Sequence, residues 1–344
     1  MLKALHGDAF VLKCQKGKNH GIVVIDGGPS KDSRKVVDVF DEYGTIDLMV
    51  LSHYDLDHIG GILAYVQKHK NDKPFPVREI WCNCAYEVPV VDSPNISYNH
   101  AKKLADLLEE INHNLKAAGC PEVIWQEEVM AGCKIERPYA DFLILSPDAG
   151  VKQANDEQYV KTVANISRDY KRQKKALDIP LEELANNIKG QPSITDKSEL
   201  VNWSSIAFYV ACDNMKALML GDSFPVSVEN SLRAFGYDQE NRLPVDYFKV
   251  SHHGSRNNIS NELLDMVDSN VYLFSTNGGA GASCHPDRET IANILYHPGR
   301  NKGDAVRLCF NYPQNVILSN SYPFLKENED KSAIFIDTYD EEYL

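Results

Sequence analysis

Apolar and polar positions alternate in short blocks along the first quarter of the chain. "DAFVLKC" and "HGIVVIDGG" predict two strands, the second ending in the tight turn Asp26-Gly27-Gly28. "SRKVVDVFDEYG" has helical spacing and a terminal glycine. "IDLMVLS" is a short apolar run of the buried-strand type. "GGILAYVQKHK" predicts a helix and "VREIWCNCA" a further strand. Strand, turn, helix, strand is the grammar of a layered α/β fold. "HAKKLADLLEEINHNLKAAG" then predicts a long amphipathic helix stopped at Gly119, and "DFLILSP" returns to strand.

Residues 152–200 break the pattern. They are polar and charged, and they predict helix or loop rather than sheet. Alternation resumes with the strands "SSIAFYVAC" and "KALMLGDS", the helix "SVENSLRAFG", the strand in "VDYFKVSHHGS" and the helix "NELLDMVDS". "VYLFSTN", the helix "RETIANILYH" and three C-terminal strands, "AVRLCFNY", "NVILSN" and "SAIFIDTY", complete the order. No short period repeats. The expectation is one domain over residues 1–344, with a helical and polar insertion at 95–200.

Composition narrows the class. At 344 residues and 43% apolar content the chain can bury a substantial core. No apolar run reaches membrane-span length, and "MLKALHGDAFVLK" lacks the apolar stretch of a signal peptide, so a cytoplasmic location is expected. The net charge of -13 argues against a broad nucleic-acid-coating surface, though not against a narrow groove with a local positive focus. The eight cysteines are scattered, and the Cys82-x-Cys84 pair has no second pair at zinc-finger spacing, so reduced thiols are expected.

The candidate chemistry begins at "LSHYDLDHIGG", where His53, Asp55, Asp57 and His58 fall within six positions at a strand end. Histidine and aspartate are good ligands for zinc or manganese. Alternate residues of an extended segment share a side, so His53 and Asp55 face one way, and Asp57 and His58 follow as the helix begins. Four such groups suit two adjacent ions better than one. A solvated acidic loop with Asp57 capping the helix would account for one aspartate, but not for both histidines. Asp222 ends the strand of "KALMLGDSFP", and a carboxylate can bridge two ions. His252 and His253 end another strand, and His285 follows a glycine-rich turn. His6, His20, His69, His100, His113 and His297 lack comparable context.

The order "VVIDGG", "SHYDLDHIGG", "LMLGDS", "SHHGS" and "CHP" resembles the metallo-β-lactamase fold superfamily. It looks most like the ComEC-like branch, which holds the metal-dependent domain of the competence DNA-uptake protein and a phosphorylcholine esterase. "GDAFVLK" and "NWSSIAFYV" fit it too. The resemblance implies an α/β fold of the αββα sandwich type, with two facing sheets and helices outside. It implies two divalent ions, zinc or manganese: His53 and Asp55 on one, Asp57 and His58 on the other, and Asp222 bridging. His253 and His285 are expected as further ligands, with His252 beside the substrate. Asp55 stands where the superfamily usually has a second histidine, which makes manganese a rival to zinc. The histidine that many members carry between the first motif and the bridging aspartate is absent. Either the "HHGS" or the His285 region substitutes for it, or one of the two sites is weak.

The expected function is that of a metal-dependent hydrolase acting on a phosphodiester through a metal-bridging hydroxide, as phosphodiesterase or nuclease. Asp57 and His252 are the expected catalytic groups, with Ser255 and Arg256 as substrate contacts. The partner is then a nucleic acid, a nucleotide or another phosphodiester. The run 167–175, "SRDYKRQKK", is either a contact for a nucleic-acid backbone or a solvated face. The alternatives are hydrolysis of a carboxylic ester, amide or lactone, and a hydrolase subunit that recognises a protein partner through the 95–200 insertion.

Overall fold

The computed structural model describes residues 1–83, 96–126, 128–154, 179–188, 200–279, 284–300, 305–321, 323–326 and 334–338. Among them, two large sheets form. The first carries β1 (Phe10–Lys16), β2 (Asn19–Ile25), β3 (Ile46–Val50), β4 (Val77–Trp81) and β5 (Ile124–Gln126), side by side in that order. β1 and β2 are an antiparallel hairpin, and every later pairing in this sheet is parallel. The parallel crossovers carry α1 (Ser33–Glu42), α2 (Leu56–His69) and α3 (Ile96–Ala117), as parallel neighbours require.

The second sheet joins β6 (Lys134–Arg137), β7 (Ala140–Ser146), β8 (Ala207–Cys212) and β9 (Met215–Met219) as an antiparallel meander. It continues in parallel through β11 (Tyr247–Lys249), β13 (Val271–Phe274), β14 (Val306–Phe310) and β15 (Ile334–Thr338). The pair β10 (Leu243–Pro244) and β12 (Val267–Asp268) stands apart from both sheets. After α4 (Leu181–Ile188) and α5 (Leu200–Trp203), the helices of this half are α6 (Pro225–Ala234), α7 (Asn261–Met266), α8 (Arg288–Tyr296) and α9 (Gln314–Asn320).

Period-two side-chain alternation explains the layering. Phe10, Leu12, Val23, Ile25, Leu48 and Val50 of the first sheet share one apolar cluster with Phe142, Ile144, Phe208, Val210, Ala217 and Met219 of the second. The intervening residues Val11, Val24 and Met49 turn the other way, onto a cluster with α1, α2 and α3. Ala207, Tyr209 and Leu218 likewise face α4, α6 and α8. Three apolar seams in this order make four layers: helices, sheet, sheet, helices. Trp81 meets Phe142 edge-on across the middle seam, with ring centroids 5.0 Å apart. Arg137 of the second sheet pairs with buried Glu79 of the first.

Two expectations change. "NVILSN" is the helix α9, not a strand: Pro313 precedes its first turn, and buried Ile317 packs into the second sheet's outer seam. Cys82 is disulfide-bonded, against the expectation of reduced thiols. Residues 96–146, the first half of the expected insertion, supply α3 and strands β5 to β7 to the layers. The basic run 167–175 lies outside the described residues. No helix among the described residues is long and apolar enough to cross a membrane.

Candidate metal centre

The polar residues singled out above collect at C-terminal strand ends, where layered α/β folds form their sites. Asp26 follows β2, His53 follows β3, Asp222 follows β9, and His252 and His253 follow β11. Ile206 N–H donates to Ser52 O at 2.8 Å and ties the two sheets together at this edge. Asp55 is the N-cap residue of α2, yet its side chain makes no capping bond. Its Oδ2 lies 3.8 Å from His53 Nε2. α2 starts hard against the turn after β2: a Cβ on Gly61 would stand 2.0 Å from Gly27 O. Only glycine permits that approach, which brings His58 against Asp26.

Hydrogen bonds fix the tautomers of His58, His252 and His253. His253 Nδ1 lies 2.8 Å from Ser275 O. A carbonyl only accepts, so Nδ1 carries the proton. His58 Nδ1 donates in the same way to Asp26 Oδ2, at 2.8 Å. His53 Nδ1 lies between two hydroxyls, Ser52 Oγ at 3.1 Å and Ser205 Oγ at 3.2 Å. Asn258 turns its amide N–H toward the carbonyls of Asp222 and Ser223, so its Oδ1 accepts from His252 Nδ1 at 3.1 Å. In their neutral forms His58, His252 and His253 therefore present Nε2 lone pairs. The Nε2 atoms of His53, His58 and His253 are buried without a hydrogen-bond partner among the described residues.

The four Nε2 atoms converge on one atom. Asp222 Oδ2 lies 4.0 Å from His53 Nε2, 3.5 Å from His58, 3.6 Å from His252 and 3.9 Å from His253. Asp57 Oδ2 lies 3.5 Å from His253 Nε2. Neutral imidazoles facing carboxylates at these distances call for protons or cations between them. Three overlapping clusters have the spacing to hold an ion: His53, His58 and Asp222; Asp57, His58 and His253; Asp8, Asp26 and His58.

Electrostatics agree. Asp8, Asp26, Asp55, Asp57 and Asp222 gather here, and among the described residues Lys249 is the ammonium in contact with them, paired with Asp8. Burial opposes charge on His253, but Asp222 and Asp8 outweigh it and raise the imidazole to about 10. Burial likewise opposes charge on His58, and Asp222 and Asp26 push it well above the ordinary value. Burial, reinforced by His58, holds His53 at about 4. The site draws in positive charge from whatever source offers it.

The backbone at the histidine pair is unusual. Neighbours in an extended strand would face opposite ways, as the sequence suggests. Instead His252 (φ 48, ψ 51) and His253 (φ 56, ψ 14) are both left-handed, so both Nε2 atoms reach Asp222. Such conformations cost on the order of 1–3 kcal/mol each. His252 thus comes as close to Asp222 as His58 does. The His285 ring lies tilted beside His252, with ring centroids 5.4 Å apart, and its Nδ1 lies 3.4 Å from Asp287. Ser255 accepts from Asn257 N–H and caps the next turn, while Arg256 pairs with Glu289 at 3.1 Å.

Sequence reading passed over Asp8, Lys249 and His6. Asp8 and Lys249 are a buried ion pair against His253 and Asp222. His6 has Asp57, His253 and His58 as charged neighbours. The signals available for these were "GD" before the first strand and a lysine inside an apolar one.

The described residues form a mixed α/β fold with this site at its strand ends. The model of the Metallo-beta-lactamase superfamily matches residues 3–125, the first sheet with the His53–His58 motif. The metallo-beta-lactamase fold protein YhfI from Bacillus subtilis is similar over 96% of this chain and 95% of its own, at 10% identity and TM-score 0.36. A metallo-beta-lactamase with a HARLDQ motif from Cronobacter sakazakii is similar over 72% of each chain, at 13% identity and TM-score 0.31. A putative metal-dependent hydrolase from Parabacteroides distasonis covers 97% of this chain and 98% of its own, at 10% identity and TM-score 0.33. No protein of curated function matches the chain.

Proposed function

We propose that this chain is a metal-dependent hydrolase of phosphodiesters, of the ComEC-like branch of the superfamily, with two divalent ions in adjacent donor sets. The observation that carries the reading is the approach of four imidazole Nε2 atoms to Asp222 Oδ2, over 3.5 to 4.0 Å. Two ligands each about 2.1 Å from a tetrahedral ion stand about 3.4 Å apart, near those spans. Five carboxylates against one ammonium also favour two divalent ions over one.

In this assignment His53, Asp55, His252 and Asp222 hold one ion, and His58, Asp57, His253 and Asp222 the other. His252 then fills the place of the histidine missing between the first motif and Asp222. His285 positions the His252 ring from behind. When bound, the ions supply Lewis acidity and a water acidified to near neutral pH. Asp57, with 27% of its side chain exposed, orients the attacking water. Ser255 and Arg256 sit on the turn beside the histidine pair, where an anionic substrate would enter. Mixed imidazole and carboxylate donors suit zinc, and the carboxylate of Asp55 keeps manganese in contention. The acidic net charge favours small or single-stranded substrates over long duplex.

The test is metal analysis together with turnover of bis-nitrophenyl phosphate and of an acyl ester, with zinc and then with manganese. Metal-dependent phosphodiester cleavage is expected, and Asp222→Ala should lower it by at least about a thousandfold. Acyl-ester turnover without phosphodiester turnover would replace this reading with carboxylic ester, amide or lactone hydrolysis.

A further inference from the structure

The segment before β1 runs over the metal centre and is pinned there on both sides. Leu5 is left-handed (φ 56), and its N–H donates to Tyr312 Oη at 2.9 Å. Gly7 N–H donates to Ala4 O at 3.0 Å, and Gly7 O accepts from Ser275 Oγ at 2.8 Å. Asp8 N–H donates to Asp57 O at 3.2 Å. A Cβ on Gly7 would stand 1.9 Å from Asp57 O, so the segment lies directly on the backbone of the ligand motif.

His6 is the residue so held. Leucine in a left-handed conformation is strained, and backbone strain of this kind persists where the surroundings over-determine it. Here four hydrogen bonds and one glycine contact fix residues 5–8. The side chain they present is half-buried and makes no hydrogen bond among the described residues. Asp57, His253 and His58 are its charged neighbours. The Nδ1 protons of His58, His252 and His253 are committed to protein acceptors. His6 alone among these neighbours keeps its N–H uncommitted.

We infer that His6 is a substrate-binding residue, donating an imidazole N–H to a non-bridging oxygen of a phosphate ester seated at the metal centre. This assignment rests on the phosphodiester reading for the ester. The anion contact itself needs only a phosphate oxygen. Its place at the rim of the site separates it from the four histidines directed at Asp222, which serve the ions. A hydrogen bond to a charged oxygen is worth about tenfold or more in affinity.

The experiment uses the full chain loaded with zinc or manganese, as wild type, His6→Ala and His6→Gln. Metal content is counted, inorganic phosphate is titrated in, and KM and kcat are measured on bis-nitrophenyl phosphate. His6→Ala should weaken phosphate binding and raise KM by about tenfold, with kcat changed much less and metal content unchanged. His6→Gln keeps an N–H donor and should recover most of the affinity. Unchanged phosphate affinity and KM in His6→Ala would overturn the assignment, and so would metal lost in parallel with them. Phosphate binding that depends on His6, in a wild type that cleaves no phosphodiester, would sustain the anion contact and defeat the hydrolase reading.

Discussion

Lys249 places its Nζ 3.9 Å from Oδ1 of Asp222, while the four imidazoles of the site all approach Oδ2. One carboxylate is thus held at one oxygen by a fixed ammonium, with the other oxygen left to the cluster. Lys249 is 1% exposed, donates to Gly221 O at 2.8 Å and pairs with Asp8. Removing the ammonium strands a buried carboxylate. Lys249→Met should therefore destabilise the fold by about 3–5 kcal/mol. Adding Asp8→Asn removes the stranded charge and should restore part of that loss. Denaturant unfolding at fixed metal concentration measures both. An equal loss in the single and double variants would show that Asp8 is not the group Lys249 compensates.

Asn258 orients His252 without touching the cluster's open face. Its amide donates to Asp222 O at 3.0 Å, and its Oδ1 takes the Nδ1 proton of His252. Partners one step behind a metal ligand are worth about 10–100-fold in metal affinity. Asn258→Ala should weaken one of the two ions by that factor and leave the other, held by His58, Asp57 and His253, near its original affinity. Zinc titration against a competing chelator resolves the two steps. Equal weakening of both would contradict the division of donors proposed above.

Much of this could be read from residue order, and the remainder turns on backbone conformation. Strands with an apolar residue at every second place, such as Phe10–Lys16 and Asn19–Ile25, are written in the pattern because each face meets a different seam. Val316-Ile317-Leu318 reads equally well as a strand, since a short apolar run carries no period. Pro313 and the burial of Ile317 decide for helix. The direction of His252 was not legible: a rule of alternation holds for extended backbone, and two consecutive left-handed residues break it. His6 was invisible for another reason. Its approach to Asp57 depends on Gly7 fitting against a backbone carbonyl fifty residues later in the chain.

The buried acids should make the fold's stability respond to cations. Asp8, Asp26 and Asp222 are almost wholly enclosed, and three histidine Nε2 atoms have no hydrogen-bond partner among the described residues. A bound ion adds stability by mass action, about 2.7 kcal/mol at a hundred times its dissociation constant. Chelator-treated protein should unfold at a lower temperature than protein reloaded with zinc or manganese. Asp222→Asn should show little of that difference. A wild-type melting temperature indifferent to metal would mean that no ion occupies the cluster in the folded state.

At the opposite ends of the strands, Cys14 of β1 and the terminal Cys212 of β8 meet across the sheets. The Cys14 thiol is buried and keeps its proton, since the hydrogen bond to Cys212 and burial both push its ionisation up. The same bond, against burial and aided by backbone groups of Gln15, Asn214 and Met215, holds Cys212 down at about 6. A lowered pKa means more thiolate at a given pH, so at pH 7 Cys212 should be roughly nine-tenths thiolate, against a few per cent for an ordinary thiol near 8.5. The rate of Cys212 alkylation by iodoacetamide, followed by mass spectrometry, should rise with pH to a plateau with its midpoint near 6. Cys14→Ala removes the donor and should move that midpoint up toward the ordinary thiol range. A wild-type midpoint already in that range would show that Cys14 does not stabilise the Cys212 thiolate.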